Sequence, residues 1–213
     1  MVTKEELLLE LEKRPIPQEL LDVKEKAIQD YNEFFEITLQ KQFKIYMIHS
    51  REEMDIIQGK KTEDWVTGHT RDHGQKVFIF DPEYYEKETG KKQIYFKKLL
   101  KHEIVHVYVA EIRNKGFVPS WLNEGLAEHL AQKKKSDKSL EEIVDCIDCF
   151  DDFLFEHYRT SSKLIELLIT KYGKEKLLAL LESLKNKEKF FSAFQNIYGF
   201  EITKENLIEN LKD

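Results

Sequence analysis

His102-Glu103-Ile104-Val105-His106 places two histidines four residues apart, with a glutamate directly after the first. On a helix this spacing projects both imidazoles from one face, one turn apart, which suits two ligands on one Zn²⁺. The Glu103 carboxylate can then reach a water on the metal without ligating the metal. The stretch therefore predicts a helix, Gln93–Asn114, that carries two zinc ligands and a general base.

A second stretch, Trp121-Leu122-Asn123-Glu124-Gly125-Leu126-Ala127-Glu128, offers a third ligand. A catalytic zinc takes three protein ligands and keeps one position open for water. Seventeen residues separate Glu124 from the second histidine, which is enough to end one helix, turn and begin another. We expect Gly116 to stop the first helix and Ser120 to cap a second helix, Ser120–Lys133, with Glu124 early on it.

Glu128 lies one helical turn beyond Glu124, on the same predicted face. Metal-bound histidines usually donate their free N–H to a carboxylate, which fixes the tautomer and the orientation of the ring. Glu128 can supply that carboxylate, or it can be a solvated surface glutamate, as most helical glutamates are. The sequence leaves both interpretations open.

Together, H-E-I-V-H at 102–106 and W-L-N-E-G-L-A-E at 121–128 resemble the gluzincin zinc metallopeptidases, and within them the compact bacterial peptidase MA-like family. The resemblance runs from about Lys76 to about Phe200 and is sharpest over Leu99–Leu130. It implies a gluzincin-like fold with one zinc per chain. It also implies roles for individual residues: zinc ligands His102, His106 and Glu124, general base Glu103, and supporting carboxylate Glu128.

The composition fits a soluble enzyme of modest size. The chain has 213 residues, of which 41% are hydrophobic and 35% charged, so a packed core and a heavily charged surface are expected. The net charge of -6 argues against nucleic acid or an anionic membrane as the main partner. We see no signal peptide and no transmembrane segment, which predicts a cytoplasmic protein if Met1 is the natural N-terminus.

The order of predicted elements indicates an α+β fold, in which a small sheet precedes the two zinc helices and further helices follow. Residues 1–40 are predicted as an N-terminal helical extension and residues 41–213 as the metallopeptidase domain. The strands are expected at Phe43–Ile48, Trp65–Thr70 and Lys76–Phe80, with a polar loop at 68–74. The expected helices are Thr3–Lys13, Gln18–Gln40, Glu52–Ile57, Ser139–Glu156, Lys163–Tyr172, Glu175–Leu184, Lys189–Ile197 and Lys204–Leu211.

Substrate binding is expected at the edge of the sheet. In gluzincins an edge strand lies beside the active site and pairs with extended substrate, and the resemblance assigns Lys76–Phe80 to that position. Val77, Phe78 and Ile79 would then bind a peptide through their main chains. The alternative is that Lys76–Phe80 is an ordinary internal strand.

Tyr158 is the candidate for stabilising the oxyanion. Gluzincins often place a tyrosine or histidine opposite the zinc, and this chain has Tyr158 shortly before a serine and an apolar helix that ends in Tyr172-Gly173. A phenol can donate to developing negative charge, or Tyr158 can be a boundary tyrosine with a wet hydroxyl. His69 and His73 are weaker candidates for substrate contact, and we favour loop roles for them.

Two further features have both structural and functional interpretations. Arg113 could meet a substrate carboxylate or could be a cation that favours a helix C-terminus. Cys146 and Cys149 form a C-x-x-C within predicted helix and without partner ligands, so we interpret them as free thiols.

These observations predict zinc-dependent hydrolysis of a peptide or protein substrate. The chain lacks the Gly-x-Met-Glu-Asn stretch of the aminopeptidases of this group, so endopeptidase activity is favoured. One alternative is a catalytically silent, zinc-containing peptide-binding or regulatory protein with the same fold. Another is a metal-free helical regulatory protein. The sequence does not give the cleavage specificity or the oligomeric state.

Overall fold

A computed structural model describes residues 2–92, 95–114, 116–132, 137–148, 157–184 and 189–212. The chain forms two compact units, Met1–Val107 and Tyr108–Asp213. The described strands all lie in the first unit, and the described part of the second unit is helical. The predicted α+β class, with strands segregated from most of the helices, is therefore confirmed.

Along the chain, four helices of the first unit precede, separate or follow the strands: α1 (Lys4–Leu11), α2 (Gln18–Phe35), α3 (Arg51–Gln58) and α4 (Pro82–Thr89). Local caps explain where three of them begin. The Thr3 side chain and Glu6 form a capping box on α1, and the Ser50 hydroxyl caps α3. Asp81 caps α4, with Pro82 at the first helical position, where its missing N–H costs nothing. Helix α4 was not predicted from the sequence.

Residues 1–40 contribute to the first unit. Helix α1 contacts α3 and strand β1 (Lys44–Ile48). The buried Tyr31 hydroxyl of α2 lies 3.3 Å from the main-chain oxygen of Lys101. At least part of this segment thus completes the fold of its unit, whereas the division of the chain at residue 40 stays a prediction.

The sheet has three strands in the order β1-β3-β2, where β2 is Gly68–Arg71 and β3 is Lys76–Phe80. β3 pairs in parallel with β1, opposing Lys76 to Lys44, and antiparallel with β2, opposing Val77 to Thr70. The edge strands are therefore β1 and β2.

The prediction that Lys76–Phe80 is an edge strand is wrong. Val77, Phe78 and Ile79 are at most 1% exposed and belong to the central strand, so their main chains pair on both sides. A continuous apolar run is typical of a strand covered on both faces. Assigning these three residues to substrate binding through the main chain is corrected accordingly.

Helix α5 (Phe96–Arg113) contains the boundary between the two units. Asn114, in the left-handed region at φ 52°, follows its last residue. Gly116, which we expected to stop the helix, donates its N–H to the Arg113 carbonyl at 2.8 Å. A Cβ on Gly116 would overlap the main-chain oxygen of Leu184, so close packing explains the glycine.

The second unit continues with six helices and one 3-10 turn in the part of the chain that the structure describes. These are α6 (Ser120–Gln132), α7 (Leu140–Val144), the turn Asp145–Asp148, α8 (His157–Tyr172), α9 (Lys174–Ser183), α10 (Phe190–Tyr198) and α11 (Lys204–Leu211). The capping box of Ser139 with Glu142 is present. The expected continuous helix Ser139–Glu156 is wrong, because α7 ends at Val144 and a 3-10 turn follows.

Cys146 lies in that turn as a buried thiol, as expected, and Cys149 lies outside the described residues. None of the helices within the described ranges is both long and apolar enough to cross a bilayer.

Candidate metal centre

His102 and His106 lie one turn apart on α5, and their rings meet. Their Nε2 atoms are 3.2 Å apart and the ring planes stand at 81°. His102 is 8% exposed, so this contact is largely removed from water. Two imidazole nitrogens this close either share a proton or direct both lone pairs at one cation.

Glu103 is buried between α5 and the edge strand β2. Its carboxylate Oε2 is 2.7 Å from the Thr70 hydroxyl, and its main-chain oxygen is 3.1 Å from that same hydroxyl. The side chain is 4% exposed. The predicted strand Trp65–Thr70 and the predicted polar loop at 68–74 both overlap β2, and neither prediction gave Thr70 a role beside Glu103. The alternation Gly-His-Thr-Arg before an Asp-His-Gly turn was the available signal for a hairpin strand.

Glu124 and Glu128 lie on α6, four residues apart and therefore on one face. Glu128 is buried, which rules out the solvated surface interpretation. Gly125 lets α6 approach α8 closely, because a Cβ there would stand 2.8 Å from the Ser161 carbonyl oxygen. The glycine after Glu124 thus serves helix packing beside a candidate ligand.

The donor atoms of three predicted ligands form a group. One atom each from His102, His106 and Glu124 belongs to a set whose members all lie within 4.8 Å of one another. Ligands at zinc distances of about 2.0–2.1 Å in a tetrahedron lie roughly 3.3 Å apart, which the 3.2 Å between the two imidazole nitrogens fits. Two imidazoles and one carboxylate are also a ligand set that zinc takes in hydrolases.

The other candidates fall in different surroundings. Tyr158 is half-buried in the first turn of α8, the helix that packs on α6, and its oxyanion role stays a prediction. His69 lies in β2, and His73 lies in the turn after it, where its carbonyl accepts from Lys41 at 2.7 Å. These positions do not test substrate contact.

Arg113 has a structural partner at the end of α5. Its Nη1 donates to the Gly116 carbonyl oxygen at 3.1 Å, and burial lowers the pKa of the guanidinium. This contact favours the helix-terminus interpretation over recognition of a substrate carboxylate.

Comparison of the chain with protein-family models, with curated proteins and with solved structures finds no match.

Proposed function

We propose that this chain is a zinc-dependent metallopeptidase of the gluzincin type. The observation that supports the proposal most strongly is the group of ligand atoms from His102, His106 and Glu124. The same three residues follow from the two sequence motifs alone, so spacing and geometry agree on one ligand set. Their chemistry suits zinc, which when bound acidifies water and polarises a substrate carbonyl.

Glu103 is the general base of the proposed reaction. Its carboxylate takes a proton from the attacking water and passes it to the leaving amine as the peptide bond breaks. Burial and the hydrogen bond from Thr70 limit the number of rotamers that the Glu103 side chain can adopt. A base held in one orientation spends little entropy on reaching the reactive geometry.

The substrate strand is reassigned to β2. This strand lies at the edge of the sheet, and its Thr70 contacts Glu103 directly. A peptide that adds to β2 would be held by main-chain hydrogen bonds, which are largely independent of its side chains. Extended binding of this kind accords with endopeptidase activity on peptides or unfolded protein segments.

Two residues of the second unit complete the proposal. Glu128, which is buried, is the proposed carboxylate for orienting a ligand histidine. Tyr158 donates its phenol to the oxyanion of the tetrahedral intermediate.

The test is a broad peptide-library digest with zinc-loaded protein, read by mass spectrometry beside metal analysis of the same sample. The matched control is Glu103→Gln, which is nearly isosteric but cannot accept the proton. We expect cleavage products from the parent and a loss of about 10²–10⁴ in rate for the variant with zinc retained. Zinc binding without any cleavage would instead indicate a silent peptide-binding protein, and absence of zinc would reject both.

A further inference from the structure

Two alternate residues of β2 shape the surroundings of the Glu103 carboxylate: Thr70 bonds one oxygen, and Gly68 leaves the space that the other oxygen needs. Alternate residues of a strand share one face, so both point toward the same side of the sheet. The Thr70 hydroxyl lies 2.7 Å from Oε2. The other oxygen, Oε1, would be 2.6 Å from a Cβ on Gly68.

Gly68 is required for space and not for backbone conformation. Its φ is not among the positive values of the described glycines, so an L-residue could adopt the same backbone. A Cβ there would also meet Leu99 Cδ1 at 2.8 Å and Glu103 Cδ at 3.0 Å. Glycine weakens a strand interior and often marks a close approach of another group. Here the approaching group is the carboxylate.

Thr70 supplies a directed hydrogen bond to a buried carboxyl group. A carboxylate that is 4% exposed needs donors to offset its lost hydration. The hydroxyl has one proton, and the 2.7 Å distance to Oε2 is shorter than the 3.1 Å to the Glu103 main-chain oxygen. Threonine is also stiff at χ1, so the donor direction is set by the strand.

We propose that Gly68 and Thr70 form a carboxylate cradle on β2 that fixes the orientation of Glu103. Thr70 is a positioning residue, because it acts on the reaction only through Glu103. The consequence for catalysis rests on the proposed peptidase function, whereas the coupling between Thr70 and Glu103 does not. The strand that would hold the substrate backbone would then also hold the general base, so that the two are kept in register by one element.

The coupling is measured without any substrate, by urea unfolding of the metal-free protein in a double-mutant cycle. Thr70→Val removes the hydroxyl and keeps the shape. In the parent it should raise the unfolding equilibrium constant about 10- to 100-fold, the range for a hydrogen bond to a charged group. In the Glu103→Met background it should raise it less than about 3-fold, because no buried carboxylate is left without its donor.

Gly68→Ala gives a second, independent cycle should the Glu103→Met variant fail to fold. Relief of glycine flexibility alone would make this substitution neutral or stabilising. The cradle predicts destabilisation in the parent and a smaller effect in the Glu103→Ala background, where the carboxylate is absent. Equal effects of Thr70→Val, or of Gly68→Ala, in both backgrounds would overturn the cradle.

The positioning role is then read on zinc-loaded protein with a peptide from the library digest. Thr70→Val should lower kcat about 10- to 100-fold with KM and zinc content unchanged, since a displaced base costs rate and not binding. Thr70→Ser, which keeps the hydroxyl, should recover most of the loss. Coupling without a change in kcat would reject the positioning role. A parent that cleaves nothing would reject the proposed function and leave the coupling measurement standing.

Discussion

Two polar clusters of the first unit differ in how their charges are balanced. In one, the Arg14 guanidinium contacts Glu53 at 2.7 and 2.8 Å and also donates to the Met47 carbonyl at 3.0 Å. Both charged side chains are mostly buried, at 11% and 18% exposed. The hydrogen bonds with Glu53 raise the pKa of Arg14. This cluster contains a cation and the anion that matches it.

The other cluster, at the candidate metal centre, brings possible metal ligands together. The ring nitrogens of His102 and His106 are 3.2 Å apart, and one carboxylate oxygen of Glu124 belongs to the same group of possible ligand atoms. Imidazole nitrogens and carboxylates are the groups that a divalent metal needs as lone-pair donors. The difference teaches that burial alone does not mark a functional site. The Arg14–Glu53 pair joins opposite charges and stabilises the fold, whereas two imidazoles and a carboxylate have the chemistry of a candidate metal site.

The largest expected effect tests this distinction directly. Zinc at about 1,000 times its Kd should stabilise the parent by roughly 4 kcal/mol, because it binds the folded chain alone. His106→Ala should abolish both the bound zinc and the stabilisation, since one arm of the ligand set is gone. Thermal unfolding with and without zinc, together with metal analysis, measures both quantities.

His49→Ala is the matched control. His49 stacks on Tyr84 at 4.3 Å between ring centroids and lies outside the group of ligand atoms. Its variant should keep the zinc and the zinc-dependent stabilisation. If His106→Ala binds zinc with unchanged affinity, the histidine pair is an ordinary buried contact, and the two clusters do not differ in function.

The second-largest effect is expected on kcat after substitution of Tyr158, which lies in the second unit. Tyr158→Phe should lower kcat about 10²–10³-fold, with zinc content and KM nearly unchanged, because a donor to the oxyanion strengthens mainly in the transition state. Tyr172→Phe on the same helix is the control, since its hydroxyl bonds the Asn210 carbonyl at 3.1 Å. If steady-state kinetics give the two variants the same kcat, Tyr158 has only a packing role.

Local signals were sufficient for much of the fold. Thr3 with Glu6 and Ser139 with Glu142 form capping boxes, and such a signal is local because the interacting residues are three apart in the chain. Helix Lys204–Leu211 has the predicted bounds, and the bounds of α5 and α6 are close to those predicted. The ligand set was also local in origin, since two motifs carry it.

Strand order and the carboxylate cradle could not be predicted from local sequence signals. Whether Lys76–Phe80 lies at the edge or the centre depends on which strands pair, and β1 precedes it by 27 residues of intervening chain. Gly68 and Thr70 meet Glu103 from more than 30 residues away, so no spacing rule reports the contact. No helix was predicted after the strand Lys76–Phe80, although Asp81-Pro82 directly follows it and begins α4.

Substitution of Glu128 tests whether this buried carboxylate supports a metal ligand or only stabilises the fold. Glu128→Ala should weaken zinc binding by about 10- to 100-fold, the usual effect of losing a hydrogen bond to a ligand. Glu128→Gln keeps an acceptor oxygen and should lose less. Competition with a chelator measures the zinc affinity of each variant. If neither variant changes it, Glu128 belongs with structural groups such as Glu53.

The smallest effect is expected at the balanced cluster and depends on pH. Burial acts to raise the pKa of Glu53, but hydrogen bonds from Arg14 and the His49 N–H together with the Arg14 charge lower it below its ordinary value. A depressed pKa contributes stability that is present above the unfolded pKa of about 4.3 and is lost as the pH falls through the folded value. Arg14→Met should therefore cost about 1–2 kcal/mol at pH 7 and progressively less below pH ~4, where Glu53 takes up a proton and no longer needs the cation.

Lys26→Met, which removes an exposed pair with Asp30, is the control and should cost less than about 0.5 kcal/mol. Urea unfolding across this pH range gives the answer. A cost for Arg14→Met that stays constant with pH would mean that the arginine acts through its contact with Met47 and not by balancing Glu53, and the contrast with the candidate metal centre would lose its electrostatic basis.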